Sequence, residues 1–337
     1  MSRFSIFGVQ VQDLKPHKSY QQQIERLSEL GLNYRNYDSI LEVLKSVGYY
    51  RFAAYTYPFR ESIRNAADKV IGKSDTFLPG SSFEEAWALH EFDRQLRQVL
   101  RSGLEVLEVG LNAQVGHILG MRHPEAHLDI NHLDQLACLQ ESTLNGRTVT
   151  THEAWIEKFN QLRRSASRED YVVHHDLVYG GKIPIWVATE FMDFGNTVRL
   201  YGLMQKSDRL QVARFFGIEN DQAAFFHGWL VALNILRNHC AHNNRIWNRV
   251  SRSPRIPSAL MVRSSLHHLR TFSNRDSKRI YPLVAVLAYL LQAVGGAAQF
   301  VEEVRVLMCE YRSELGIPLE SVMGFPSGWQ QQRLWLP

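Results

Sequence analysis

The segment from Arg237 to Arg245, RNHCAHNNR, combines side chains that can bind a phosphate and move a proton. Arg237, Asn238 and His242 follow the spacing R-N-x-x-x-H. A guanidinium stabilises charge that builds on phosphate oxygens, and an imidazole with an ordinary pKa of about 6.5 exchanges protons near neutral pH. RNA suits this chemistry, because its 2′-hydroxyl is an internal nucleophile beside the phosphate. These three residues are therefore candidates for a metal-independent RNA-cleaving site.

This segment lies late in an apolar pattern that predicts a helix from Asp221 to His242, one that could extend to Trp247. At about 100° per residue, one polar stripe gathers six positions. The stripe comprises His227, Val231, Asn234, Asn238, His242 and Arg245. Arg237 stands about 140° from His242 on that wheel. Either the long arginine reaches around the helix, or a second copy completes the site in a two-fold dimer.

The same spacing occurs a second time, between Arg122 and His127. Pro124 lies inside that copy and Gly120 just before it, which predicts a loop. Spacing alone is therefore weak support, and two interpretations of the Arg237–His242 segment remain open. It is either a nuclease site or a buried polar network.

Basic residues cluster after this motif. Residues 237–279 carry ten basic residues against one acid, a net charge of +9 over 43 residues in a chain whose total is +4. Such a segment attracts polyanions, and its bias toward Arg favours phosphate. The candidates for RNA contact are Arg245, Arg249, Arg252, Arg255, Arg263, Asn234 and Asn244.

The composition is that of a globular protein. The chain has 337 residues, of which 45% are hydrophobic and 21% charged. Its three scattered cysteines indicate a reducing compartment, so we expect a cytoplasmic protein. The apolar run Tyr281–Phe300 is interrupted by polar residues and glycines, and we expect a buried helix there rather than a membrane span.

Helical periodicity dominates and predicts an all-α fold, with an N-terminal helical region over residues 1–80 and a helical domain over 81–337. The predicted helices include Ser19–Leu30, Asp38–Val47, Phe83–Leu119, His152–Ser165 and a helix starting at Pro184. The aromatic stretch Gly48–Phe59 predicts a turn with a short extended piece. Ile71–Ser82 is expected to be a loop, and Arg168–Lys182 a polar connector.

Five ordered motifs resemble the abortive-infection (Abi-like, AbiD/AbiF type) proteins of the HEPN superfamily. The strongest is Leu236–Asn248, LRNHCAHNNRIWN. The others are Gly48–Tyr55, the central pair Phe92–Arg97 with Glu105–Glu108, Pro184–Trp186 with Phe194–Gly195, and Met323–Pro326 with Trp329. One departure is Asn112, near the place after Glu108 where relatives often carry a basic residue.

The resemblance implies a HEPN-like helical bundle with an N-terminal helical extension. It implies a bacterial phage-defence toxin that cleaves RNA without a metal or cofactor. Arg237 and His242 would be the catalytic pair, with Asn238 the polar residue after the arginine. HEPN nucleases usually dimerise, and some Abi-like relatives work with a structured small RNA. RNA and a second copy of the chain are thus the expected partners.

Other interpretations stay open. Glu105 and Glu108 could be a catalytic carboxylate pair, but we expect them to form ion pairs with arginines of a neighbouring helix. His123 and His127 stand four apart beside Pro124, and without a cysteine pair we expect no zinc site.

The alternative to a nuclease is an RNA-binding module without turnover that scaffolds a small RNA. A third possibility is a helical protein-interaction factor.

Overall fold

The computed structural model describes residues 16–219, 223–251, 254–256, 264–273, 276–311 and 315–336. Within these ranges the fold is mainly helical, with fourteen α-helices and two antiparallel two-stranded sheets. The all-α prediction is confirmed. The described residues form two compact units, 16–91 with 315–317 and 92–311 with 318–336.

The first unit is built from three short helices, a hairpin and the beginning of a long helix. Its elements are α1 (Tyr20–Glu29), α2 (Tyr37–Ser46), α3 (Tyr49–Thr56), β1 (Arg60–Arg64), β2 (Val70–Phe77) and the start of α4 (Phe83–Arg122). Ser19 caps α1 with a full capping box, and Asn36 caps α2. Both caps satisfy backbone N–H groups that a helix start leaves without partners.

The expectation for residues 48–59 was wrong, because α3 is a helix. Gly48 turns the chain at φ +85°, and α3 follows it directly. Phe52 and Tyr55, three residues apart, are both buried on one helical face. The aromatic content favoured extended structure, but burial of this face determines the outcome.

The loop expected over 71–82 is also wrong in part, because strand β2 continues to Phe77.

The second unit contains the rest of α4 and all later elements. They are α5 (Gln135–Cys138), β3 (Glu141–Leu144), β4 (Arg147–Thr150), α6 (Thr151–Ser165), α7 (Asp170–Val178), α8 (Ile185–Ala188), α9 (Phe194–Leu203), α10 (Lys206–Phe215), α11 (Ala223–Ala241), α12 (Tyr281–Val294), α13 (Ala297–Glu310) and α14 (Leu319–Met323). Leu104, Leu107 and Leu111 on α4 are fully buried in its core. The elements that were not expected include α7, which replaces the polar connector, and the hairpin of β3 and β4.

The apolar run near the C-terminus forms a buried helix, as predicted. Ten residues of α12 are buried, and the helix ends at Gly295, whose φ is +82°. Because Gly295 adopts the left-handed conformation, the run is divided between α12 and α13. No helix in the described ranges has the length and apolar character needed to cross a membrane.

Candidate active site at the end of helix α11

Helix α11 ends at Ala241, so the extension to Trp247 is wrong. His242 follows the last helical residue, and Asn243 adopts a left-handed conformation with φ +54°. The N–H of Asn244 donates to the carbonyl of His239 at 2.9 Å, and the N–H of Asn243 to that of Cys240 at 3.1 Å. This pattern is a Schellman motif, in which asparagine tolerates the left-handed position. Arg245 is consequently not on the helical polar stripe.

Helix α9 packs against the N-terminal half of that stripe. A Cβ on Gly202 would lie 2.8 Å from the His227 ring, and one on Gly195 would lie 3.1 Å from the Asn234 amide nitrogen. Both glycines therefore permit close approach of α9 to α11. His227 and Asn234 are half-buried packing residues here, whereas Asn238 and His242, farther along α11, are exposed.

Arg237 pairs with Glu108 of α4. The guanidinium Nε lies 3.5 Å from Glu108 Oε2. Glu108 also accepts a hydrogen bond from the backbone N–H of Phe194, the first residue of α9. Burial raises the pKa of the Glu108 carboxyl, and the positive charge of Arg237 acts against that rise. Glu108 thus connects α4, α9 and α11. Its contact with Arg237 confirms the ion pair that was expected for this glutamate. Glu105, by contrast, is exposed.

A second residue pair of α4 anchors the chain after the motif. The fully buried carboxylate of Asp93 accepts the N–H groups of Ile246 at 3.1 Å and Trp247 at 2.8 Å, and it pairs with Arg97. Arg97 also donates to the carbonyl of Asn244 at 3.4 Å. Asp93 and Arg97 were not among the predicted site residues. Their signal was an acid and a base four apart beside a run of core leucines.

His239, which lies three residues before His242, was also not among the predicted site residues. Its Nδ1 lies 3.1 Å from the Asn244 side-chain nitrogen, which can donate to it. Burial lowers the pKa of His239, and the nearby charges of Arg249 and His242 lower it further. The end of α11 therefore brings two imidazoles together beside Arg249. Because Nδ1 accepts a hydrogen bond, the neutral ring carries its proton on Nε2.

The other candidates for RNA contact are spread along the chain. Arg249 Nε donates to the carbonyl of Arg245 at 3.2 Å, so these two arginines lie just beyond the helix end. Arg255 is exposed, and its carbonyl accepts the indole N–H of Trp229 at 2.7 Å. Trp229 lies roughly 20 Å along α11 from the C-terminal end of the helix. The backbone of Arg255 therefore lies beside an earlier part of α11 than His242 does. Arg252 and Arg263 lie outside the described residues.

The second copy of the spacing does not form a comparable site. Arg122, the last residue of α4, pairs with Asp208, with one contact at 2.9 Å. His127 is fully buried and packs against the rings of Trp155 and Phe159. The described part of the chain holds no group of three or more side chains placed to bind a metal ion.

Comparison with known families covers four of the five ordered motifs, all except the one at Met323–Pro326 and Trp329. A family model described as Abi-like protein matches residues 42–248, which is more than half of the chain and includes the segment from Arg237 to His242. No curated protein and no solved structure matches the chain.

Proposed function

This chain belongs to the Abi-like protein family, whose role is abortive infection, a defence against phage, and on that premise we propose that it is an RNA-cleaving toxin. One observation supports the proposal most directly. Arg237 is held beside α4 by Glu108, while His242 is exposed at the end of the same helix with Asn238 one turn before it. A phosphate-binding group and a proton-transfer group thus stand on one element.

The proposed reaction is an internal transesterification. An imidazole takes the proton of the RNA 2′-hydroxyl, and the oxygen forms a bond to the adjacent phosphorus. The bond from phosphorus to the 5′-oxygen breaks, and that oxygen receives a proton. Arg237 stabilises the negative charge on the phosphate oxygens. The products are a 2′,3′-cyclic phosphate and a 5′-hydroxyl, and no metal takes part.

A second copy of the chain would complete the site. One proton is taken and another is delivered, and the His242 imidazoles of two copies would divide these two steps. In a two-fold dimer the ends of two α11 helices would face one cleft, as the resemblance to HEPN nucleases implies. Arg245, Arg249 and Asn244 would contact RNA beside this cleft, and a structured small RNA on the basic segment would restrain the toxin.

The second candidate function is RNA binding without turnover. The ion pair between Glu108 and Arg237 favours it, because a phosphate would have to compete with a carboxylate for the guanidinium. In that case the basic segment would hold a structured small RNA. The two candidates differ in whether RNA is cut.

Cleavage of RNA by the purified full chain, with EDTA present, tests the proposal. We expect Arg237→Ala and His242→Ala to abolish cleavage while RNA affinity changes little. Matched controls are Arg199→Ala on α9 and His117→Ala on α4, both exposed, and these variants should cleave normally. Cyclic phosphate ends on the products would identify the reaction.

Three outcomes would contradict the proposal. An Arg237→Ala/His242→Ala double variant as toxic to its host as the parent rules out this site. Cleavage that stops on adding EDTA rules out the metal-independent reaction. A protein that stays monomeric by light scattering at micromolar concentration, with and without RNA, argues against the composite site. Binding of RNA without any cleavage would support the second candidate.

A further inference from the structure

A cavity of about 610 Å³ lies on the second unit between the C-terminal end of α4 and the segment joining α7 to α8. Its walls are rich in rings, from Trp186, Tyr179, His123, His174 and His175. Lys182 and Glu125 add one charge of each sign. Its volume lies in the range of small-molecule sites. None of these residues belongs to the candidate active site.

We propose that this cavity binds one unpaired nucleotide of RNA, with the base against Trp186 and a phosphate on Lys182. Trp186 is 49% exposed and Tyr179 is 54% exposed, although core packing is the usual position of such rings. Exposed rings provide stacking faces for bases, which is how proteins bind single-stranded nucleic acid. The Nδ1 atoms of His123 and His175 already bond to backbone groups, so the Nε2 atoms of the histidines and the Glu125 carboxylate supply donors and acceptors for a base edge.

Contacts within the protein hold parts of the cavity wall in place. A Cβ on Gly120 would lie 2.8 Å from the six-membered ring of Trp186, so the indole lies directly on the backbone of α4. The N–H of Ile185 donates to the carbonyl of Pro124 at 2.7 Å, which joins the two rims. His175 Nδ1 lies 3.0 Å from the carbonyl of Lys182. A preformed site loses little conformational entropy on binding.

Trp186 lines this cavity and also a second cavity beside the candidate active site. The same indole lines a neighbouring cavity of about 410 Å³ that includes Glu108, the partner of Arg237. A Cβ on Gly116 would lie 3.2 Å from the Cα of Trp186. Gly116 and Glu108 are eight residues apart on α4, which is roughly 12 Å along the helix. A single strand with its scissile phosphate at Arg237 could therefore place a base a few nucleotides away against Trp186. This part of the inference rests on the proposed function.

Fluorescence provides a test that needs no catalysis. Of the seven tryptophans, all within the described residues, Trp186 alone is exposed. We expect adenosine monophosphate to quench its emission saturably in the full chain, and no such quenching in Trp186→Phe. Lys182→Ala should weaken binding of the monophosphate but not of adenosine, because only the former carries the phosphate.

Binding of a 2′-O-methyl RNA oligonucleotide, which cannot be cut, extends the test to a strand. Trp186→Ala should weaken this binding roughly 10- to 100-fold, the loss expected for one stacked base. The control is Tyr50→Ala, a 94% exposed aromatic outside the cavity, which should bind as the parent does. Circular dichroism of each variant would check that it folds. Lys182→Ala should disturb packing little, because Lys182 is exposed.

The possible outcomes separate the two proposals. Nucleotide quenching in a protein that cuts no RNA supports the cavity and overturns the nuclease. RNA cleavage with no quenching by the nucleotide, and with unchanged oligonucleotide affinity in Trp186→Ala and Lys182→Ala, overturns the cavity and leaves the nuclease. Saturable quenching that Lys182→Ala leaves unchanged overturns the assignment of the phosphate.

Discussion

Glu108 holds Arg237 at 3.5 Å and accepts the N–H of Phe194 at the same time. The arginine of the R-N-x-x-x-H motif is therefore oriented by a helix more than a hundred residues earlier in the chain. On the helical wheel Arg237 stands about 140° from His242, on a different side of α11. Its direction is set by Glu108 on α4, as well as by its own helix.

Replacing Glu108 by Gln should reduce catalysis without abolishing RNA binding. The variant keeps the shape and the hydrogen-bond acceptor but removes the charge that orients Arg237. A misplaced catalytic group can lower a rate up to roughly 100-fold. Single-turnover cleavage and RNA affinity, measured in parallel, check this expectation. The control is Glu105→Gln, an exposed glutamate one turn earlier on α4; equal losses in the two variants would contradict a specific role for Glu108.

Removing the Asp93 carboxylate should destabilise the second unit. Asp93→Ala leaves Arg97, only 5% exposed, without its buried partner, and frees the N–H groups of Ile246 and Trp247. Breaking a buried ion pair on one side costs about 3–5 kcal/mol. Denaturant unfolding would measure the loss. The double variant Asp93→Ala/Arg97→Met should recover part of it, because no buried charge remains, and a double variant less stable than the single one would contradict this account.

The sequence predicted the helices whose apolar residues repeat with a helical period. Phe83–Leu119 was recognised because its leucines recur every three or four residues, and α4 extends only three residues further. The failure at α3 has a physical cause, since tyrosines and phenylalanines favour strands locally but here bury one helical face. The β3–β4 hairpin could have been found. Asn145-Gly146, with φ of +50° and +76°, is the preferred two-residue turn.

Long-range partners explain what the sequence could not predict at the site. The residue types near Arg237 were enough to identify a candidate motif and to expect that a glutamate of α4 pairs with an arginine. Nothing local indicated that Asp93 would bind backbone groups at Ile246 and Trp247, because 153 and 154 residues separate them. The helix end at Ala241 depends on the left-handed conformation of Asn243, which asparagine tolerates but which its residue type does not dictate.

The left-handed turn at Asn243 gives a further test. An alanine at φ +54° carries a steric cost of roughly 1–2 kcal/mol, whereas glycine carries none. Asn243→Ala should therefore be less stable than Asn243→Gly by about that amount. Because this turn places His242 and Asn244, cleavage should also fall more in the alanine variant. Thermal unfolding and cleavage rates check both effects, and equal stability of the two variants would show that the turn is not left-handed in solution.

His127 gives the stability of the second unit a dependence on pH. Burial, together with the charge of His152, lowers the pKa of His127 to about 3, and neither ring nitrogen has a hydrogen-bond partner among the described residues. In the unfolded chain His127 therefore binds a proton as the pH falls through about 6.5, whereas in the folded protein it binds one only near pH 3. The contribution of His127 to the free energy of unfolding is therefore fully present above pH 6.5. It is lost as the pH falls toward 3, by up to about 1.4 kcal/mol per pH unit.

His127→Phe isolates this effect, because the new ring fits beside Trp155 and Phe159 and does not titrate. The free energy of unfolding of the parent minus that of the variant should decrease steadily from pH 6.5 to pH 3. His268, whose pKa burial lowers to about 4, is present in both proteins and cancels in this difference. At neutral pH the variant should be as stable as the parent or more so, since it removes a buried polar group without partners. A difference that stays constant with pH would mean that His127 is accessible to protons in the folded protein.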